Sequence, residues 1–144
     1  MTVPGCPLCE GPGGRLVWAA APWRLVHAAE PGFPAFYRLV RDDHVREFSQ
    51  LPVPDRVRCM EILAEVEQVL LARLAPTKVN LASLGNAVPH LHWHVIARFD
   101  WDSHFPGPVW ASALRQVPPE RLAALEEQLP ALEQALVRCL SGLA

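Results

Sequence analysis

Apolar residues crowd Leu16 to Ala20 and again Trp23 to Ala28, with Pro22 between them, a pattern that predicts a hairpin or two short strands. Glu30-Pro31-Gly32-Phe33-Pro34 reads as a turn, and Phe36 to Arg41 alternates as a further strand before a loop at Asp42-Asp43-His44. The clearest helix is predicted over 54–75. Pro54 suits a first helical position, and Asp55 complements the positive end of the helix dipole. Arg58, Glu61, Glu65 and Gln68 form a solvated stripe, whereas Met60, Leu63, Val66, Leu70 and Leu74 mark the expected buried side. Pro76 ends the helix; Lys78 to Leu84 is predicted as a strand, Gly85-Asn86 as a turn, and Val88 to Phe99 as another strand. An irregular segment with Trp101, His104, Phe105 and Trp110 follows. A second helical region begins near Pro118-Pro119 and carries Leu122, Leu125, Leu129, Leu132, Leu136 and Leu140, with Pro130 expected to break or kink it. Residues 1–14 are predicted to be a loop. Its Gly11-Pro12-Gly13-Gly14 cluster is read as a turn, because no strand precedes it and no Lys-Ser/Thr follows, as a phosphate loop would require. With no internal repeat and no compositional boundary, residues 1–144 are expected to form a single domain.

Composition narrows the class of function. The chain is 51% hydrophobic and 19% charged, as a compact globular protein is and a disordered one is not. A formal net charge of -2 gives no electrostatic basis for binding nucleic acid. No run reaches the roughly 18 apolar residues of a membrane helix, so no membrane association is expected. The first residues, with Pro4, Cys6, Pro7 and Cys9, lack the basic-then-apolar pattern of a signal peptide. A cytoplasmic location with reduced cysteines is the resulting expectation.

The chemistry concentrates in Pro89-His90-Leu91-His92-Trp93-His94-Val95-Ile96, which holds three of the six histidines. In a strand, His90, His92 and His94 share one face while Leu91, Trp93 and Val95 share the other, so Trp93 should face the core. Three uses of such a row compete. Buried structural histidines would need many hydrogen-bond partners at once. A metal would take at most two of the three, since all three span roughly 13 Å at a rise of about 3.3 Å per residue. In the third use, the central imidazole attacks a phosphate ester as a nucleophile, its neighbours bond the phosphate oxygens, and a carbonyl fixes its tautomer. Cys6-Pro7-Leu8-Cys9 adds a C-x2-C pair, half of a tetrahedral zinc site or a redox pair. Cys59 and Cys139 are expected as small core residues, His27 as structural, and His104 as a surface-loop residue.

His90-Leu91-His92-Trp93-His94-Val95-Ile96 resembles the signature of the histidine triad (HIT) superfamily, the bacterial HIT-like hydrolases among them. The resemblance covers about residues 6–111, leaving 118–141 as a C-terminal helical extension. It implies an α+β, HIT-like fold: an antiparallel sheet of about five strands with one long central helix, usually paired as a homodimer. It implies a nucleotide phosphate hydrolase or nucleotidyl transferase working through a nucleotidyl-histidine on His92, with His94 against the phosphate and leaving group and His90 in a supporting hydrogen-bond network. The alternative it leaves is a nucleotide-binding protein with little turnover, zinc-stabilised or not. Asn80, Gly85 and Asn86 match substrate-binding positions, and the ligand is a nucleotide or nucleotide conjugate. No cofactor is required for the chemistry. Some bacterial relatives hold a structural zinc, and the matching residues are Cys6, Cys9, His44 and His90. This chain departs from the pattern at Phe36, where relatives often carry a fourth histidine, at Asn86-Ala87, where Gln-Ser or Gln-Thr is usual, and at Ala97, where many have Pro. Trp110 is placed near the ligand, of the same or the partner subunit.

Overall fold

A computed structural model describes residues 1–143. A short helix, α1 (Pro7–Glu10), precedes β1 (Arg15–Ala20), β2 (Trp23–His27) and β3 (Phe36–Arg41). A 3-10 turn at Phe48–Gln50 leads into α2 (Val53–Leu74), followed by β4 (Lys78–Ala82), β5 (His92–Arg98) and α3 (Pro119–Ser141). The strands form one antiparallel sheet in the order β1-β2-β3-β5-β4. The α+β fold with a five-stranded antiparallel sheet, a long helix and a C-terminal helix is therefore present. The long stretch between β3 and β5 lets β4 fold back on the far side of β5, which becomes an inner strand with six of its seven residues buried.

Both long helices cover one face of the sheet. Leu25, Tyr37, Leu39 and Val95 from the strands meet Ile62, Leu63, Val66 and Leu70 of α2 and Leu132, Leu136 and Leu140 of α3 in the main core. Burying a side chain of this size contributes roughly 1.5–3 kcal/mol. An ionic clasp ties α3 to the sheet. Tyr37 donates to Glu133 at 2.9 Å, and Arg15 grips the same carboxylate through bonds of 2.6 and 2.9 Å. Trp93 is half-buried on this face, with its ring edge-on to Phe48 at 5.9 Å.

Several boundaries differ from the sequence expectation, each for a physical reason. The histidine strand starts only at His92, because His90 N–H donates to Val88 at 2.8 Å and Leu91 N–H to Val45 at 2.6 Å. In the backbone of residues 88–91 this leaves only the Leu91 carbonyl bonded to β3, from Arg41 N–H at 3.1 Å. Pro130 does not break α3, which runs unbroken from Pro119 to Ser141. Pro130 and Glu126 both lie on the exposed side, where water can satisfy the carbonyl that a proline leaves unbonded. Met60 faces solvent, whereas Leu63, Val66, Leu70 and Leu74 are buried as expected, joined by Cys59, Ile62 and Val69. The N-terminal loop contains one helical turn, α1, started by Pro7. No helix among the described residues is long and apolar enough to cross a membrane.

Candidate active site and metal centre

The sheet face away from the helices is covered at its two ends and open between them. At one end the N-terminal segment packs Cys6 and Leu8 on Val26 and Val40. At the other, Ala28, Phe33, Phe36 and Ile96 form a second small cluster. The cleft between them has a volume of about 550 Å³. Register sets what faces it: Val40 pairs with His92, Arg38 with His94, and Phe36 with Ile96. These residues share the face by strand alternation. His92, His94 and Arg38 line the cleft, with Gly85 and Asn86 on its rim and the Trp110 ring 5.1 Å from that of His94.

The three signature histidines have separate surroundings. His90 is fully buried and does not line the cleft. Its Nε2–H donates to the Arg41 carbonyl at 2.6 Å, so Nδ1 is left as an acceptor, 3.4 Å from the Cys6 sulfur and 3.5 Å from that of Cys9. His92 donates from Nδ1 to the His90 carbonyl at 2.6 Å. That bond fixes the tautomer and leaves a lone pair on Nε2, which meets no hydrogen-bond partner among the described residues. Burial lowers the His92 pKa, opposed by the bond to His90 and reinforced by the charge of Arg38. His94 is pushed down to about 4, first by burial and then by the charges of His92 and Arg38. Its Nδ1 is buried with no partner among the described residues, and its ring centroid is 5.5 Å from that of Phe36. Both cleft histidines are therefore neutral at pH 7.

Asn80 lies on the same sheet face opposite Ile96, but its Oδ1 accepts from Arg98 at 2.9 Å and it does not line the cleft. Arg98 is itself buried and paired with Asp102 through bonds of 2.8 and 3.1 Å. Asp102 also accepts from the backbone N–H groups of His104 and Phe105 at 3.0 and 2.7 Å. This network fixes the segment that carries Trp110. Neither Arg38 nor Asp102 stood out in the sequence. The signal for Arg38 was a cation at an inward position of the alternating run Phe36-Arg38-Val40. Asp102 had no signal, since it lies in an irregular segment and its partners are the Arg98 side chain and backbone groups of the same loop.

Cys6, Cys9, His44 and His90 bring their ligand atoms within 4.8 Å of one another. Cys9 Sγ is 3.4 Å from His44 Nδ1. A tetrahedral zinc with Zn–S of about 2.3 Å and Zn–N of about 2.0–2.1 Å would hold sulfur and nitrogen about 3.5 Å apart. The donor set thus fits zinc, and the Arg41 carbonyl on His90 Nε2 is the outer contact that orients a histidine ligand. The other residues stand apart from both sites. His27 Nε2–H donates to the Pro34 carbonyl at 2.7 Å, His104 lies half-buried against Phe33, Cys59 is buried in the core, and Cys139 is half-buried against it.

The HIT domain family model matches residues 16–101, more than half of the chain. The chain belongs to the HIT domain family. A crystal structure of a histidine triad protein from Marinobacter aquaeolei VT8 is similar at 25% identity and a TM-score of 0.68, over 88% of this chain and 93% of that one. One from Sinorhizobium meliloti 1021 is similar at 25% identity and a TM-score of 0.66, over 83% and 90%. A Zn-bound histidine triad family protein from Mycobacterium smegmatis shares the fold at 19% identity and a TM-score of 0.60, over 92% and 93%. No curated protein matches the sequence. As a HIT domain the chain belongs among nucleotide-binding proteins. Two of the departures lie by the cleft, Phe36 beside His94 and Ala87 in the cleft lining, whereas Ala97 is buried in the main core on the other face of the sheet.

Proposed function

We propose that this HIT protein is a nucleotide phosphate hydrolase or nucleotidyl transferase in which His92 is the nucleophile. The observation that carries the reading is the bond from His92 Nδ1 to the His90 carbonyl, which leaves the other nitrogen with a free lone pair beside the cleft. In the first step the Nε2 lone pair forms a P–N bond to the α-phosphorus of the nucleotide. The bond from phosphorus to the leaving group breaks, and that group departs with its electron pair and takes up a proton from water. Water then attacks the same phosphorus, the P–N bond breaks, and a nucleoside monophosphate and free His92 result. An alcohol or phosphate in place of that water gives transfer. No cofactor takes part on this reading, because imidazole is itself a competent nucleophile.

His94 lines the cleft and is neutral near pH 7, so it would hydrogen-bond the phosphate and the leaving group rather than deliver a full positive charge. His90 supports His92 through its carbonyl. Gly85 and Asn86 on the rim would bond the substrate, and Asn80 would act from behind, its side-chain NH2 remaining free to donate. Cys6, Cys9, His44 and His90 would hold a structural zinc that fastens the N-terminal segment to the end of β5. A cytoplasmic homodimer completes the reading. Leu81 and Leu84, exposed on and after the edge strand β4, support pairing.

The test is turnover of an adenosine phosphoramidate by the wild type and by His92→Ala. Loss of a covalent nucleophile is expected to lower kcat/KM by about three orders of magnitude or more; equal rates would remove the reading. A second reading, nucleotide binding with little turnover, is favoured by the apolar Phe36 ring beside His94 and by Ala87 in place of a hydroxyl. Calorimetric affinity for a nucleotide without detectable product would select it.

A further inference from the structure

Among the described residues the cleft contains one permanent charge. Most of its wall is apolar, formed by residues such as Leu8, Leu84, Ala87 and Val88, and none of the described carboxylates lines it. Arg38 rises from β3 directly opposite His94, on the face that His92 shares. Cross-strand neighbours of this kind have Cβ atoms about 4.5–5.5 Å apart, so the guanidinium lies within reach of whatever occupies the space over the two histidines. Its positive charge is felt at both rings.

Arg38 is held, yet not used up. One terminal nitrogen donates to the Gly13 carbonyl at 3.3 Å and the other to Glu30 at 3.0 Å, while the group leans over the Phe36 ring at 5.5 Å. A guanidinium offers five N–H donors, and these contacts engage two. The Glu30 carboxylate is exposed, and a solvent-screened pair of this kind holds the guanidinium only weakly. Arginine bonds to phosphate oxygens are charge-assisted and are strengthened in a cleft with apolar walls.

We propose that Arg38 is a specificity-determining residue, selecting nucleotides in which a second anionic group, such as another phosphate, adjoins the phosphorus that His92 attacks. The inference rests on the reading of the cleft as a nucleotide site. It adds that anionic leaving groups are preferred over neutral amines, because the guanidinium bonds the departing oxygens while the monophosphate part is held by the histidine side.

The experiment is calorimetric titration of the wild type, Arg38→Leu and Arg38→Gln with adenosine and guanosine monophosphates and with their α,β-methylene diphosphates, which cannot be cleaved at the bridge. The wild type is expected to bind the diphosphate analogue about 10- to 100-fold more tightly than the monophosphate, the scale of a charge-assisted hydrogen bond. Both variants should bring that ratio near one, by losing at least about tenfold more affinity for the diphosphate analogue than for the monophosphate. Arg38→Gln keeps a polar side chain and supplies the result if the leucine variant does not fold. A wild-type ratio near one, a ratio unchanged in the variants, an equal loss for both ligands as expected of a merely structural Arg38, or no binding at all overturns the proposal. The result is separable from the role of His92. A preserved ratio without phosphoramidate turnover fails only the catalytic reading, and turnover with a ratio of one fails only Arg38.

Discussion

Three imidazoles within five residues have three different environments. His90 is tied to a carbonyl and faces sulfur, His92 is tied to a carbonyl and faces the cleft, and His94 packs against the Phe36 ring with its Nδ1 unpartnered among the described residues. The His94 environment makes a pH prediction. Its folded pKa of about 4 lies below the ordinary histidine value of 6.5, so the unfolded chain binds the proton more readily. Stability from this group is complete above 6.5 and is lost as pH falls from 6.5 toward 4. Thermal unfolding midpoints over that range should fall more for the wild type than for His94→Asn, which cannot titrate; parallel curves would contradict the assignment. At this scale the sequence was informative where alternation decides the outcome. It placed the three histidines on one face, but the bend at residues 88–91 that sends the first ring to the cysteines depends on Val45 and Arg41, distant in sequence.

At the scale of elements, legibility followed the strength of the local pattern. The strand Phe36–Arg41 and the C-terminal helix appear where alternation and leucine spacing put them. The unbroken course through Pro130 was hidden, because the cost of a proline depends on whether the freed carbonyl meets water, a fact about the outer surface of α3. The segment after Phe99 has no period to read. Its order comes from the buried Arg98–Asp102 pair and the backbone N–H groups that Asp102 accepts. Removing one partner of a buried pair leaves an uncompensated charge. Asp102→Ala is therefore expected to cost about 3–5 kcal/mol in urea unfolding. The same variant should loosen Trp110, seen as a change in tryptophan fluorescence. A loss below about 1 kcal/mol would mean the loop is held by other contacts.

Across the whole molecule, the helices close one face of the sheet, and the N-terminal segment and the Trp110 loop leave a cleft on the other. Cysteines near the start of the chain meet His44 and His90, so a metal there would link segments far apart in sequence. Freshly purified protein is expected to contain about one zinc per chain. Chelation should lower the melting temperature by several degrees, and Cys6→Ser should show the lower value without chelator; metal-free protein with unchanged melting would reject the site. The central claim concerns His92, and its most direct measurement is the mass of the protein quenched during turnover of a nucleoside phosphoramidate under alkaline denaturing conditions, which preserve a P–N bond. The account predicts one added nucleoside monophosphate group, mapped to the peptide containing His92 and absent from His92→Ala. A group mapped to another residue, or His92→Ala turning over at the wild-type rate, would contradict it.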